Sequence, residues 1–359
     1  MKISKKIAYI PCINFSNNRG YDLRNLLYYS KINKVIIHKF NKKKNYDYLV
    51  LPPNFDVSDI KWLKKRKEKI IYQLVDNYFS ENTNSFKNLF RGVFKYLIGE
   101  YKYLIINYKK KLIELCQLSH CIICSSELQK KEILKYNKNV KIFFESHFDF
   151  IRNVKKNHKI TKKIKFVWEG RCENLNSLKV FFKPLLILLK NFPKIELHII
   201  SDYESYNPRF SILKKSSIKI IKKIFRKLFS TNTTFFESKI FFHQWNKMLA
   251  PKIISECDIA IIPLINENGY HYGKGYNKLI MFHKNKIPTV TSKIPSYFEL
   301  EKKIGINFTC SSANEWVNKI KKIIHSDKYR LQLVNKSYSY VKKNYSKNKF
   351  SAQWRELFI

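Results

Sequence analysis

The chain has 359 residues, 70 Lys+Arg against 27 Asp+Glu, a formal net charge of +43, 45% hydrophobic residues and 15% aromatic ones. That apolar content excludes a mainly disordered chain and, at roughly 100–200 residues per domain, predicts two or three domains. No apolar run reaches the ~20 residues that span a bilayer, and the start MKISKKIAYIPC lacks a signal peptide's apolar core, so a soluble, cytoplasmic chain is expected.

The basic residues run along the whole chain with abundant Asn, Ile and Tyr, a spread that A/T-rich coding produces without selection for a polyanion. Whatever its origin, the charge favours an anionic partner: nucleotide phosphates, anionic lipid or nucleic acid. Seven scattered cysteines (Cys12, Cys116, Cys121, Cys124, Cys172, Cys257 and Cys310) read as reduced thiols. Cys121 and Cys124 form a CxxC near His120, but HCIICSS reads as a buried strand and no second pair follows, so no metal site is expected.

In chain order, KIAYIPC, KVIIHKF, YDYLVLPP, KIIYQLVD, CIICSS and VKIFF are predicted strands, with a helical stretch over 86–118. After the first strand, NFSNNRGYDLR offers Arg19, Gly20 and Arg24 to an anionic acceptor. KIIYQLVD delivers Asp76, a carboxylate suited to act as general base, and CSSE ends a later strand in the same way. The polar stretch 152–163 reads as a linker. Strand–helix alternation then restarts with IKFVWEG, a helix from about Asn174, IELHIISD, KIFFHQW, a helix to about Ser255, DIAIIPL, a helix from about Asn277, IPTVTS and INFTC. Helical patterns over 312–326 and 328–342 precede an apolar tail, FSAQWRELFI, expected to cross back onto the first domain. Continuous apolar strands separated by helices predict an α/β chain of two Rossmann-like domains facing across a cleft, 1–158 with the terminal helix 343–359, and 159–342.

Ligands in open α/β sheets bind outside the carboxyl ends of the strands. In WEGRCENLNSL, Gly170 permits close backbone approach, Arg171 brings a guanidinium fork, and Asn176 lies where a helix starts. In the loop NENGYHYGKGYNK, Gly273, Lys274 and Gly275 precede a helix near Asn277 and Lys278, the composition of a diphosphate-embracing loop. It fits neither GxxxxGK[ST] nor GxGxxG. Thr291 and Ser292, ending the strand IPTVTS, can touch a ribose or phosphate.

With DIAIIPL, GKGYNKLIMFHKNKIPTVTS, WEGR and LCQLSHCIICSS in place, the sequence resembles glycosyltransferases of the group 1 (family 4) type with a GT-B fold, most strongly over 164–300. The resemblance implies retaining, metal-independent transfer from a nucleotide sugar held by the second domain to an acceptor on the first. No cofactor other than this substrate is implied. Relatives with such a donor loop build cell-surface polysaccharide, often on lipid-linked acceptors. The family's Arg matches Arg171 and a Lys matches Lys278, whereas its two glutamates eight positions apart fall on Gly273 and Met281, and a second Lys falls on Asn176. Asp76, Arg171 and Lys278 are thus the catalytic candidates; Gly170, Asn176, Gly273, Lys274, Gly275, Asn277, Thr291 and Ser292 are the donor-binding ones.

Two basic amphipathic segments, 210–229 and 86–112, carry the pattern of helices lying on an anionic membrane surface, with packing on their own domains as the alternative. A nucleic-acid-binding protein is the rival class, although no helix-turn-helix, RNP or zinc pattern occurs and no specific nucleic acid is expected. A nucleotide-sugar epimerase and an inactive transferase are the alternatives within the fold.

Overall fold

A computed structural model of the chain describes residues 5–11, 24–79, 85–97, 99, 101–150, 153–205, 215–228, 238–265 and 271–358. The chain divides into two compact units. The first comprises Met1–Ser146, Asn266–Gly275 and Lys347–Ile359; the second comprises His147–Ile265 and Tyr276–Ser346.

The first unit is built on β1 (Ile7–Tyr9), β2 (Ile37–Lys39), β3 (Tyr48–Leu51), β4 (Lys69–Gln73), β5 (Cys121–Cys124) and β6 (Val140–Ile142). They form one sheet in the order β2-β1-β3-β4-β5-β6, every neighbour parallel. β3 and β5 are buried along their whole length. That is why they read as unbroken apolar runs: a parallel sheet is covered on both faces, and alternation disappears. Helix Tyr108–Leu118 supplies Leu112, Leu115 and Cys116 to the core, where they join Leu49, Leu51, Ile70 and Ile122. The terminal helix Lys347–Arg355 belongs to this unit: Trp354 stacks on Tyr29 at 6.1 Å and meets Phe143 edge-on at 5.3 Å, while Phe350 meets Tyr28 at 5.7 Å.

The second unit contains β7 (Ile164–Glu169), β8 (Ile195–Ser201), a short antiparallel ribbon of β9 (Glu204–Ser205) and β10 (Lys215–Ser216), then β11 (Ile240–Gln244), β12 (Ile259–Ile262), β13 (Thr289–Ser292) and β14 (Thr309–Cys310). Its six-stranded sheet runs β11-β8-β7-β12-β13-β14 and is again wholly parallel. Each of the twelve predicted strands is present; the two-residue ribbon was too short to give an apolar signal.

The structure departs from expectation in three places. The stretch 86–118 is two helices, Ser85–Leu97 and Tyr108–Leu118, not one. Gly99, at φ +68°, lies just past the first, and the Asn107 side chain accepts from Lys110 N at 2.9 Å to start the second. The helix expected from Asn174 begins as a 3₁₀ segment, Cys172–Leu178, and becomes α-helical only over Lys179–Asn191. The polar stretch read as a linker is bound to the second unit. Lys155 N donates to Asn285 O at 3.1 Å, its Nζ lies 3.3 Å from Asp258 Oδ1, and His158 O accepts from the buried Arg330 Nε at 2.7 Å.

The six described cysteines, Cys116, Cys121, Cys124, Cys172, Cys257 and Cys310, are free and buried. Burial pushes the Cys121 and Cys124 thiols up to about 11 and about 12, so both stay protonated at neutral pH as small apolar groups of β5.

Candidate functional site

In the second unit the strand order reverses between β7 and β12, the two central strands. A crevice at the carboxyl ends of such a pair is where open α/β sheets take their ligands. β7 ends at Glu169, and Gly170 follows with its N–H donated to Ile200 O at 3.1 Å. A Cβ added to Gly170 would lie 2.5 Å from Trp168 Cη2 and 2.9 Å from Lys278 Nζ, so any larger residue would displace the Trp168 ring and the Lys278 ammonium. Lys278 stands in the first turn of the helix Asn277–Lys284. Its ammonium donates to the Glu169 carbonyl, lies 3.6 Å from Glu169 Oε2 and sits over the Trp168 ring at 5.2 Å. A fixed cation, a glycine turn and a helix N-terminus thus share one strand end, the combination that holds phosphate.

The other donor-side candidates hold different positions. Arg171 is exposed and forks onto Glu173, with Nε 3.2 Å from Oε2 and an Nη 3.3 Å from Oε1. Asn176 is exposed on the 3₁₀ segment, and Asn277 opens the helix that carries Lys278. Ser292 Oγ accepts from Leu264 N at 2.8 Å, tying the end of β12 to β13. Thr291 is fully buried within β13, where its N–H pairs with Phe308 O at 3.0 Å and its hydroxyl bonds to the Ser292 carbonyl at 3.2 Å. Met281, on a position where the resembled family has glutamate, is buried in the second core.

Gly273, Lys274 and Gly275 belong to the first unit. Ser126 Oγ donates to Gly273 O at 2.7 Å. Added Cβ atoms would lie 2.7 Å from Asn77 Cβ at Gly273, and 2.6 Å from the Ser125 carbonyl oxygen at Gly275. These glycines therefore admit protein backbone and side chain at the ends of β4 and β5. Gly275→Ala is expected to lift the 271–275 segment and raise its amide hydrogen exchange by about 10-fold, read peptide by peptide against unchanged β4 and β5.

The same end of the first sheet gathers charge. Arg24 Nη1 lies 2.6 Å from Glu145 Oε2, and Asp76 follows β4. Burial pushes the Lys274 ammonium below its usual range, while the Asp76 and Glu145 carboxylates pull it back up. Gln129, fully buried and not singled out from the sequence, holds this edge together. Its amide donates to Leu74 O at 2.5 Å and Asp76 O at 3.0 Å, and its oxygen accepts from Ser125 N at 2.9 Å. Nothing in the helical pattern of ELQKKEI marked Gln129 as buried. Arg19 and Gly20 lie outside the described residues. Among the described residues, no three His, Cys, Asp or Glu side chains group to hold a metal ion.

No protein-family model and no curated protein matches the chain by sequence. Solved structures do match. Anabaena HepE, in complex with UDP and glucose, is 10% identical with a TM-score of 0.63, covering 98% of this chain and 99% of its own. A glycosyltransferase from Rickettsia africae is 13% identical with a TM-score of 0.57, covering 99% and 98%. TarM, known from S. aureus, is 16% identical with a TM-score of 0.58 over 87% of this chain; the present chain spans 54% of TarM. What is shared at such identities is the fold, the GT-B fold of these glycosyltransferases.

Proposed function

We propose that the chain is a glycosyltransferase that moves a sugar from a nucleotide-sugar donor to a saccharide acceptor. The observation that carries this reading is the meeting of Gly170, Lys278 and a helix N-terminus at the strand-order reversal of the second sheet. As the bond between sugar and diphosphate breaks, negative charge grows on the leaving phosphate and the sugar becomes oxocarbenium-like. A preplaced ammonium and amide dipoles stabilise that charge more in the transition state than in the ground state. Arg171 adds a second cation after leaving Glu173. On the first unit, Asp76 serves as the base for the acceptor hydroxyl, with Lys274 and Arg24 favouring an anionic acceptor. The resemblance to group 1 transferases supports retention of configuration, transfer without a metal, and a lipid-linked acceptor in cell-surface polysaccharide synthesis on the cytoplasmic side of a membrane. The UDP and glucose bound in HepE favour a UDP-sugar among the donors.

A panel of UDP-, GDP- and ADP-sugars, assayed for hydrolysis and transfer with and without chelator, tests the reading. One donor is expected to turn over well above background, with equal rates in chelator. Isomerised sugar with no transfer would make the protein an epimerase, and a panel that neither binds nor reacts would end the proposal.

A further inference from the structure

The two basic amphipathic segments look alike in sequence and differ in what covers them. In the helix Ser217–Leu228, Ile221 and Ile224 are buried in the second core and Ile220 packs against it, so these apolar side chains are taken up by their own unit. In the helix Ser85–Leu97, Gly92 is buried, and a Cβ added there would lie 2.9 Å from the Ile105 carbonyl carbon. The helix backbone therefore rests directly on the 101–106 segment. At about 100° per residue, Phe90, Phe94 and Leu97 stand roughly 140–200° round the helix from Gly92, on its outward side. They are 72%, 49% and 74% exposed, and the Phe90 and Phe94 rings stack on each other at 6.3 Å. In the neighbouring segment Tyr101 and Ile105 enter the first core, whereas Leu104 and Ile106 are 53% and 70% exposed.

Monomeric proteins rarely leave so many large apolar side chains uncovered within one short stretch of chain, here 90–106. The composition around them indicates what covers them. Residues 86–112 contain seven Lys or Arg (Lys87, Arg91, Lys95, Lys102, Lys109, Lys110 and Lys111) and one acidic residue, Glu100. Lys95 lies over the Tyr101 ring at 5.0 Å, and Lys102 lies over Tyr103 at 5.1 Å while pairing with Asp59 at 3.3 Å. Protein–protein interface cores are depleted in lysine, and a second copy carrying the same +43 charge is repelled. Aromatic and aliphatic side chains interleaved with ammonium groups match the boundary between anionic headgroups and acyl chains.

We propose that Phe90, Phe94, Leu97, Leu104 and Ile106 dock the protein on an anionic lipid bilayer, with the surrounding lysines against lipid phosphates. The proposal does not depend on the transferase reading, and its test needs no turnover. The probe is sedimentation with vesicles of phosphatidylcholine alone or with ~30% phosphatidylglycerol, at the concentration of half-binding. The triple variant Phe90→Ser, Leu97→Ser, Ile106→Ser leaves the net charge unchanged, so diffuse attraction is identical in the two proteins. Binding of the wild type to anionic vesicles is expected, with a fall of about 10-fold or more in the variant and an unchanged melting temperature. Equal binding by the two proteins would assign the attraction to bulk charge and overturn the proposal. So would absence of wild-type binding, or a wild-type dimer that the variant converts to monomer. In a second measurement, Leu97→Trp is expected to gain blue-shifted emission, quenched by brominated acyl chains, on anionic vesicles only; emission unchanged by vesicles would also overturn it.

Discussion

Lys278→Ala is expected to slow sugar transfer by about 100-fold or more, chiefly in kcat, measured by steady-state kinetics on the donor that the panel selects. The ammonium is held in place before any ligand arrives, by the Glu169 carbonyl, the Glu169 carboxylate and the Trp168 ring. A charge fixed in this way needs no reorganisation when the leaving phosphate develops its own. Lys278→Arg is expected to recover part of the loss, because the charge returns in a larger, planar form that Gly170 and Trp168 leave little room for. Arg171→Ala is expected to cost less, about 10-fold, since that guanidinium is exposed and already engaged by Glu173. Equal kcat in Lys278→Ala and the wild type would remove the second unit's strand reversal from the chemistry.

Trp354→Ala is expected to destabilise the first unit by about 3–5 kcal/mol, the range for truncating a fully buried tryptophan. The side chain is 1% exposed and packs among Tyr29, Phe143, Phe350 and Phe358. Its loss opens a cavity and weakens the attachment of the helix Lys347–Arg355. The indole N–H makes no hydrogen bond among the described residues, so Trp354→Phe is expected to retain most of the stability. Urea unfolding followed by tyrosine and tryptophan emission checks both. A midpoint in Trp354→Ala equal to the wild type's would show that the terminal helix contributes nothing to this core.

Both sheets were legible in the sequence because their strands are doubly covered and rich in Ile, Val and Leu, and runs such as YLVL or IAII, bounded by polar or turn residues, are too short for a helix. The strand ends were legible for the same reason: WEGR offered Gly170 and Arg171, and the loop GKGYNK, opening a helix, offered Lys278. Gly273 and Gly275 show where composition stops informing. A glycine that admits a phosphate and a glycine that admits Asn77 or Ser125 are the same letter, and only the packing separates them. Thr291 is similar: its hydroxyl suits a ribose, but it lies inside the ladder against Phe308. The two basic helices make the point again. Their patterns match, and the difference lies in Gly92, a residue whose lack of a side chain lets one helix settle on its backbone and turn Phe90 and Phe94 outward.

The first unit is assembled from three separate stretches of chain, the last of them Lys347–Ile359. A nascent polypeptide emerging from the ribosome therefore cannot finish this half on its own. Tyr29 and Tyr48 wait without Trp354 and Phe358 until translation has passed Phe358, while the second unit, complete by Ser346, is free to form earlier. The order of synthesis and the order of maturation are thus reversed, and the half made first is the one that stays longest in need of protection from aggregation.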